Sequence, residues 1–254
     1  MTVDPTQAPK PAPFQDWYRT PLGAAVARIE CACVQRLLAN TFGYYLVQVG
    51  ASDGFREALA SSRIRHRILL PGEPFDGRGQ SGIVGLPTAL PLASDSIDAL
   101  LLPHTLDDSD HPRAVLGEAE RVLIPEGRLV IVGFNALSLW GLARLWWPAR
   151  RRLPWRARFR LASQVEHWLS DLGFDIEARE YALFCPPWGS PLRPRCVSLD
   201  ALGRRFWPML GGIYVIRAVK RVATLTPLRP YRTSRRALLP GRAVRPTTRG
   251  TGHA

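Results

Sequence analysis

Acidic side chains are missing from two long stretches of this 254-residue chain: none occurs between Glu126 and Glu166, and none follows Asp200. The formal net charge of +13 is therefore carried by two basic zones. The first holds Arg144, Arg150, Arg151, Arg152, Arg156, Arg158 and Arg160, interleaved with Trp140, Trp146, Trp147 and Trp155; the second runs from Arg204 to Arg249. Long apolar runs are also missing. Arg144 interrupts the longest candidate, Leu137 to Trp147, well short of the about 18 residues that crossing a bilayer requires. The amino terminus has neither the basic head nor the apolar centre of a secretory leader, so a cytoplasmic chain, at most peripheral to a membrane, is expected. Cysteine is scarce, and Cys31, Cys33, Cys185 and Cys196 lack the paired spacing of a structural zinc site. They read as free thiols.

What is present suits one α/β domain with appendages, since 46% hydrophobic content is enough to bury a proper core. Its most informative segment is Tyr44 to Gly54, where an apolar strand-type run stops at Gly50-Ala51-Ser52-Asp53-Gly54 before helix-forming residues. Gly50 and Gly54 allow backbone angles and close approaches that a Cβ forbids, so backbone N–H groups can face a ligand at the end of a buried strand. The following helix points its positive end at the same place. Gly-x-Ser-x-Gly is also the nucleophile-elbow pattern of α/β-hydrolases, with Ser52 as nucleophile. Chain order opposes that reading, because only Met1 to Thr41 precede the strand and His104, His111 and His167 come too early to complete a triad. The dinucleotide fingerprint Gly-x-Gly-x-x-Gly fails too, since Phe55 occupies its last glycine position.

Prolines at 5, 9, 11 and 13 mark residues 1–15 as a disordered leader. Thr20-Pro21 then opens a helix, with Thr20 as N-cap and an apolar stripe at Leu22, Val26, Ile29, Val34, Leu37 and Leu38. A short helix at 55–61 and a strand at 67–70 follow. Further strands are expected at 96–102, 128–133, 174–184 and 212–219, with helices at 112–123 and 162–172. This βα alternation predicts a mostly parallel sheet with helices on both faces. Residues 16–220 form that domain, with an Arg/Trp-rich insertion at about 137–161, and 221–254 read as a basic, disordered tail.

Three landmarks in order then resemble the class I S-adenosylmethionine-dependent methyltransferases, over roughly Leu46 to Lys220. They are the loop Val47 to Gly54; Leu90-Pro91-Leu92 with Asp95-Ser96-Ile97-Asp98-Ala99-Leu100; and Glu120-Arg121-Val122-Leu123-Ile124-Pro125-Glu126-Gly127-Arg128-Leu129. The resemblance implies a Rossmann-like three-layer sandwich whose seven-stranded, mostly parallel sheet ends in an antiparallel C-terminal strand. It implies S-adenosyl-L-methionine as cofactor and transfer of its methyl group to a small-molecule acceptor. Gly50, Ala51, Ser52 and Gly54 would hold the methionine part, Glu73 the ribose hydroxyls, Ala89 and Leu90 the adenine edge, and Pro103 with His104 the wall nearest the methyl group. Gln48 stands where the family carries an acidic residue, and it can donate and accept hydrogen bonds without supplying charge. A methyltransferase-fold module that binds through its basic surface without catalysis is the alternative.

His104, at a strand end and with an ordinary pKa of about 6.5, is the candidate general base or else shapes a loop. Asn135 either reaches the acceptor or caps the next helix. Asp107, Asp108 and Asp110 match no dedicated metal spacing and read as a solvated loop. Trp140 and the Arg/Trp zone have three readings: nucleic-acid binding, an interfacial helix on an anionic membrane, or a substrate lid with tryptophans packed inward.

Overall fold

The computed structural model describes residues 13–50, 54–70, 85–146, 154, 157–187 and 194–221. They all fall in the first of two compact units, Met1–Val222; the second, Ala223–Ala254, lies outside the described residues with the tail expected there.

The strands are β1 (Tyr45–Val49), β2 (His66–Leu70), β3 (Ile97–Pro103), β4 (Leu123–Phe134), β5 (Phe174–Ala182) and β6 (Ile213–Lys220), in sheet order β2-β1-β3-β4-β6-β5. β1 to β4 run parallel, and β6 lies antiparallel to both β4 and β5. Six strands are thus found among the described residues instead of the seven expected, and residues 71–84, which follow β2, lie outside them. The antiparallel C-terminal strand is β6.

Alternation along the strands splits the core into two layers. Leu46, Leu101, Val130 and Val132 face α2 (Pro21–Leu38), whose Val26, Val34, Leu37 and Leu38 cover them. Val47, Leu100, Leu129 and Ile131 face the opposite side, under Val115, Leu116 and Ala119 of α5 (Pro112–Val122) and Val165 and Leu169 of α7 (Ala162–Asp171). Each Val, Leu or Ile side chain buried between these layers contributes about 1.5–3 kcal/mol relative to exposure. α2 starts where the sequence places it: Thr20 Oγ1 accepts the Gly23 N–H at 3.1 Å, with Pro21 in the first turn. Lys220 closes the far end of the sheet. Its Nζ donates to the carbonyls of Glu120 at 2.8 Å and Leu123 at 2.9 Å and pairs with Asp95, also at 2.8 Å.

Three findings depart from the sequence expectations. Helix α1 (Pro13–Tyr18) begins inside the stretch read as leader, because Phe14, Trp17 and Tyr18 have an apolar surface to cover. A further helix, α8 (Pro194–Phe206), stands between β5 and β6. Cys185 is disulfide-bonded, so the free-thiol reading holds for Cys31 and Cys33 but not for it.

Candidate active site

β1 ends at Gly50, whose φ of 96° lies in the region that favours glycine. The Gly50 N–H donates to the Leu70 carbonyl at 3.0 Å, so the chain bends away while still joined to β2. Beside it the Thr105 hydroxyl donates to the Val49 carbonyl at 2.7 Å, and a Cβ on Gly50 would stand 3.0 Å from that hydroxyl. The carboxyl ends of β1 and β3 are thereby locked together, the place where open α/β sheets take ligands. Gln48, two residues earlier, is fully buried, and Gly54, just before α3 (Arg56–Ser61), lies against Ala27 and the Tyr18 ring. Ala51, Ser52 and Glu73 lie outside the described residues.

The Leu90 segment is held by the third sequence landmark. The Leu90 N–H donates to Glu118 Oε2 at 2.9 Å, while Arg121 donates to the carbonyls of Leu90 at 3.0 Å and Leu92 at 2.9 Å. Glu118 and Arg121 are paired at 2.8 Å, one helical turn apart on α5. Two of the three motifs therefore meet in space, Arg121 fixing the wall that Leu90 forms and Ala89 tied back to the Leu86 carbonyl at 2.9 Å.

Pro103 ends β3, and His104 turns the chain with a left-handed φ of 52° into the short helix α4 (Thr105–Asp108). Its imidazole does not face an open site. Nδ1 lies 2.9 Å from Asp107 Oδ2 and Nε2 lies 2.9 Å from Glu30 Oε1, with all three side chains fully buried. Tyr18 donates its hydroxyl to Glu30 Oε2 at 2.7 Å, and the Phe134 N–H donates to Asp107 Oδ2 at 2.9 Å. The His104 ring stacks on Phe134 at 4.4 Å and on Phe14 of α1 at 4.8 Å. Burial pulls its pKa down, but the two carboxylates outweigh burial and raise it to about 9. Burial raises Asp107 as well.

His104 is thus an imidazolium held between carboxylates, which differs from the exposed base with an ordinary pKa that its position suggests. Asp107 is likewise no part of a solvated loop, whereas Asp110 is, pairing with Arg158 at 2.6 Å. The residue that sequence reading missed is Glu30. Its signal was a carboxylate four residues from both Val26 and Val34, inside the apolar stripe of α2.

At the end of β4, Asn135 is a structural hub. Its Oδ1 accepts the Leu137 N–H at 3.0 Å, and its Nδ2 donates to the carbonyls of Leu137, Met209 and Gly211 at 3.1, 2.7 and 3.0 Å. Ser138, its hydroxyl donating to the Asn135 carbonyl, accepts the Gly141 N–H at 3.0 Å and so caps α6 (Leu139–Trp146). Trp140 of α6 packs fully inward, its Nε1 donating to the Cys185 carbonyl at 2.8 Å. The insertion closes at its base, where the Arg160 N–H donates to the Phe134 carbonyl at 3.1 Å. Residues 147–153, 155 and 156, with Trp147 and Trp155, lie outside the described residues, as do 188–193.

A mixed sheet in this order, with a glycine bend at the end of β1, has the fold of the class I methyltransferases, and the chain belongs to the class I S-adenosylmethionine-dependent methyltransferase family. The family model described as "Methyltransferase domain" matches residues 32–131, from α2 through β4. The chain is similar to the uncharacterized protein YafS of Escherichia coli, with 31% identity over 239 residues covering 92% of each chain. Solved methyltransferase structures share the fold. A SAM-dependent methyltransferase from Thermotoga maritima superposes with a TM-score of 0.57 at 21% identity, covering 82% of this chain and 95% of that one. A chain of the Haloferax volcanii complex between the Trm112 methyltransferase activator and a methyltransferase gives 0.59 at 15% identity, covering 83% and 96%. Among the described residues no helix is long and apolar enough to cross a membrane.

Proposed function

We propose that the protein transfers the methyl group of S-adenosyl-L-methionine to a small-molecule acceptor. The observation that carries this reading is the bend at Gly50, which lies inside the matched methyltransferase segment and beside the end of β3. A φ of 96° and the missing Cβ suit a backbone cradle, and the buried Leu90 suits an apolar wall for adenine. Gly50, Ala51, Ser52 and Gly54 would hold the methionine part, with Gln48 beneath them as a neutral hydrogen-bonding group. Glu73 would take the ribose hydroxyls, Ala89 and Leu90 the adenine edge, and Pro103 with the backbone of His104, whose ring is turned inward, would form the wall nearest the methyl group. The bound cofactor supplies a methyl group already activated on a sulfonium, so what this chain contributes is alignment and exclusion of water. Phe14, Trp17 and Phe134 seal the His104 side against solvent. In this reading His104 is a positioning residue, and the acceptor brings its own nucleophile.

Calorimetric titration of the full chain with S-adenosyl-L-methionine tests the reading. Saturable binding is expected, weakened about 10- to 100-fold in Glu73→Ala through lost hydrogen bonds to a charged group, with the ligand-free melting temperature unchanged. Absence of binding heat would overturn it in favour of a methyltransferase-fold module without cofactor.

A further inference from the structure

We infer that the surface formed by α6, the outer side of α8 and the 3₁₀ turn Pro208–Leu210 docks on an anionic lipid bilayer. The inference is independent of cofactor binding. In α8, Asp200 and Gly203 point into the protein: Asp200 accepts the Phe184 N–H at 2.7 Å, and a Cβ on Gly203 would meet the Phe184 ring at 2.4 Å. That docking fixes the rotation of the helix. It leaves Leu202 and Phe206, one turn apart, in solvent at 47% and 57% exposure. Leu139 and Leu142 repeat the pattern on α6, where Trp140 and Ala143 take the inward positions. Trp207 and Met209 continue the apolar surface beyond α8, at 57% and 55% exposure.

Asn135 brings the start of α6 and the turn after α8 side by side. Its side chain binds the carbonyl of Leu137, just before α6, and those of Met209 and Gly211 in the turn. The Trp140 ring lies directly against Gly212, so that a Cβ there would stand 2.8 Å from it. An apolar surface assembled from two helices and a turn, with no cover among the described residues, is what marks an interaction site on a soluble chain.

Charge selects the occupant. α6 carries Arg144 and no acid, and α8 with its turn carries Arg195, Arg204 and Arg205 against the single Asp200, which pairs with Arg204 at 3.3 Å. Nucleic acid would also answer to arginines, but it asks for stacking rings, and four of the six apolar groups here are Leu or Met. Aliphatic side chains projecting beside arginines suit the acyl and headgroup levels of an anionic bilayer. The surface lies where β4 ends and β6 begins, at the same end of the sheet's strands as Gly50 and His104. Docking would turn that end toward lipid.

The test is co-sedimentation of the full chain, without cofactor, with phosphatidylcholine vesicles and with phosphatidylcholine–phosphatidylglycerol vesicles, at low and high salt. The chain is expected to pellet with the anionic vesicles and to keep part of that binding in high salt, because apolar insertion is not screened. The triple variant Leu142→Asp, Leu202→Asp, Phe206→Asp should lose about tenfold or more of its partitioning. Circular dichroism checks its fold, and Phe206→Asp alone, at one of the most exposed positions, serves as the milder variant. Binding of the variants equal to the parent would overturn the inference, as would parental binding to polyuridylate RNA with none to vesicles, or to neither. Calorimetry with S-adenosyl-L-methionine on the same variants reads the cofactor site separately and should not change.

Discussion

Replacing Glu30 by glutamine removes one of the two carboxylates that hold the His104 imidazolium while keeping the size of the side chain and an acceptor for Tyr18. In the parent protein the His104 pKa is raised from 6.5 to about 9. The folded state therefore binds this proton more tightly than the unfolded chain does. The resulting stability is fully present below about pH 6.5 and is lost as the pH rises through about 9. At about 1.4 kcal/mol per pKa unit, the window is worth about 3 kcal/mol of unfolding free energy. Breaking a buried pair from one side costs about 3–5 kcal/mol, so Glu30→Gln should be less stable than the parent by that order near pH 6.5. The gap should close as the pH passes about 9, because the parent then loses its imidazolium too. Urea unfolding followed by tryptophan fluorescence at a series of pH values measures both curves. Burial pushes the Cys33 thiol up to about 11, and its titration acts equally on both proteins, so it cancels in the difference. Parallel stability curves for parent and variant across this window would refute the reasoning, as would a gap that widens with pH.

Asn135→Ala deletes a side chain that makes four hydrogen bonds and leaves the buried Gly211 carbonyl without this donor; a loss of about 1–3 kcal/mol is expected in urea titration, with protease cleavage near the 3₁₀ turn accelerated. Gly133→Ala would place a Cβ 2.4 Å from the hydroxyl of the fully buried Tyr214, so overpacking should lower stability by about 1–3 kcal/mol in the same assay. An unchanged midpoint in either variant would show that the packing described for it is not needed.

Much of the fold was legible because its signals are local. Thr20-Pro21 placed the start of α2 through a cap that needs only residues three apart, and the period-2 and period-3.6 patterns placed β1, β3, α5 and α7 within a few residues. The Leu90 and Arg121 landmarks were legible as motifs, though that one holds the other came only with the structure. Helix α1 was hidden by its proline-rich neighbours, since Phe14 and Trp17 declare themselves only through the aromatic cluster they cover. α8 was hidden for the opposite reason: its apolar stripe faces solvent, and a pattern does not state which side is inward.

His104 marks the boundary between the two kinds of information. Its position after an apolar strand could be read from the chain, because strand ends follow from hydropathy and turn residues. Its charge could not, because the partner that does most to set it, Glu30, is 74 residues away and meets it only when α2 packs on the sheet. Hydropathy periods are properties of neighbouring residues and survive in the unfolded chain. Protonation in a buried site depends on which groups burial brings within hydrogen-bond distance, and that only tertiary packing decides.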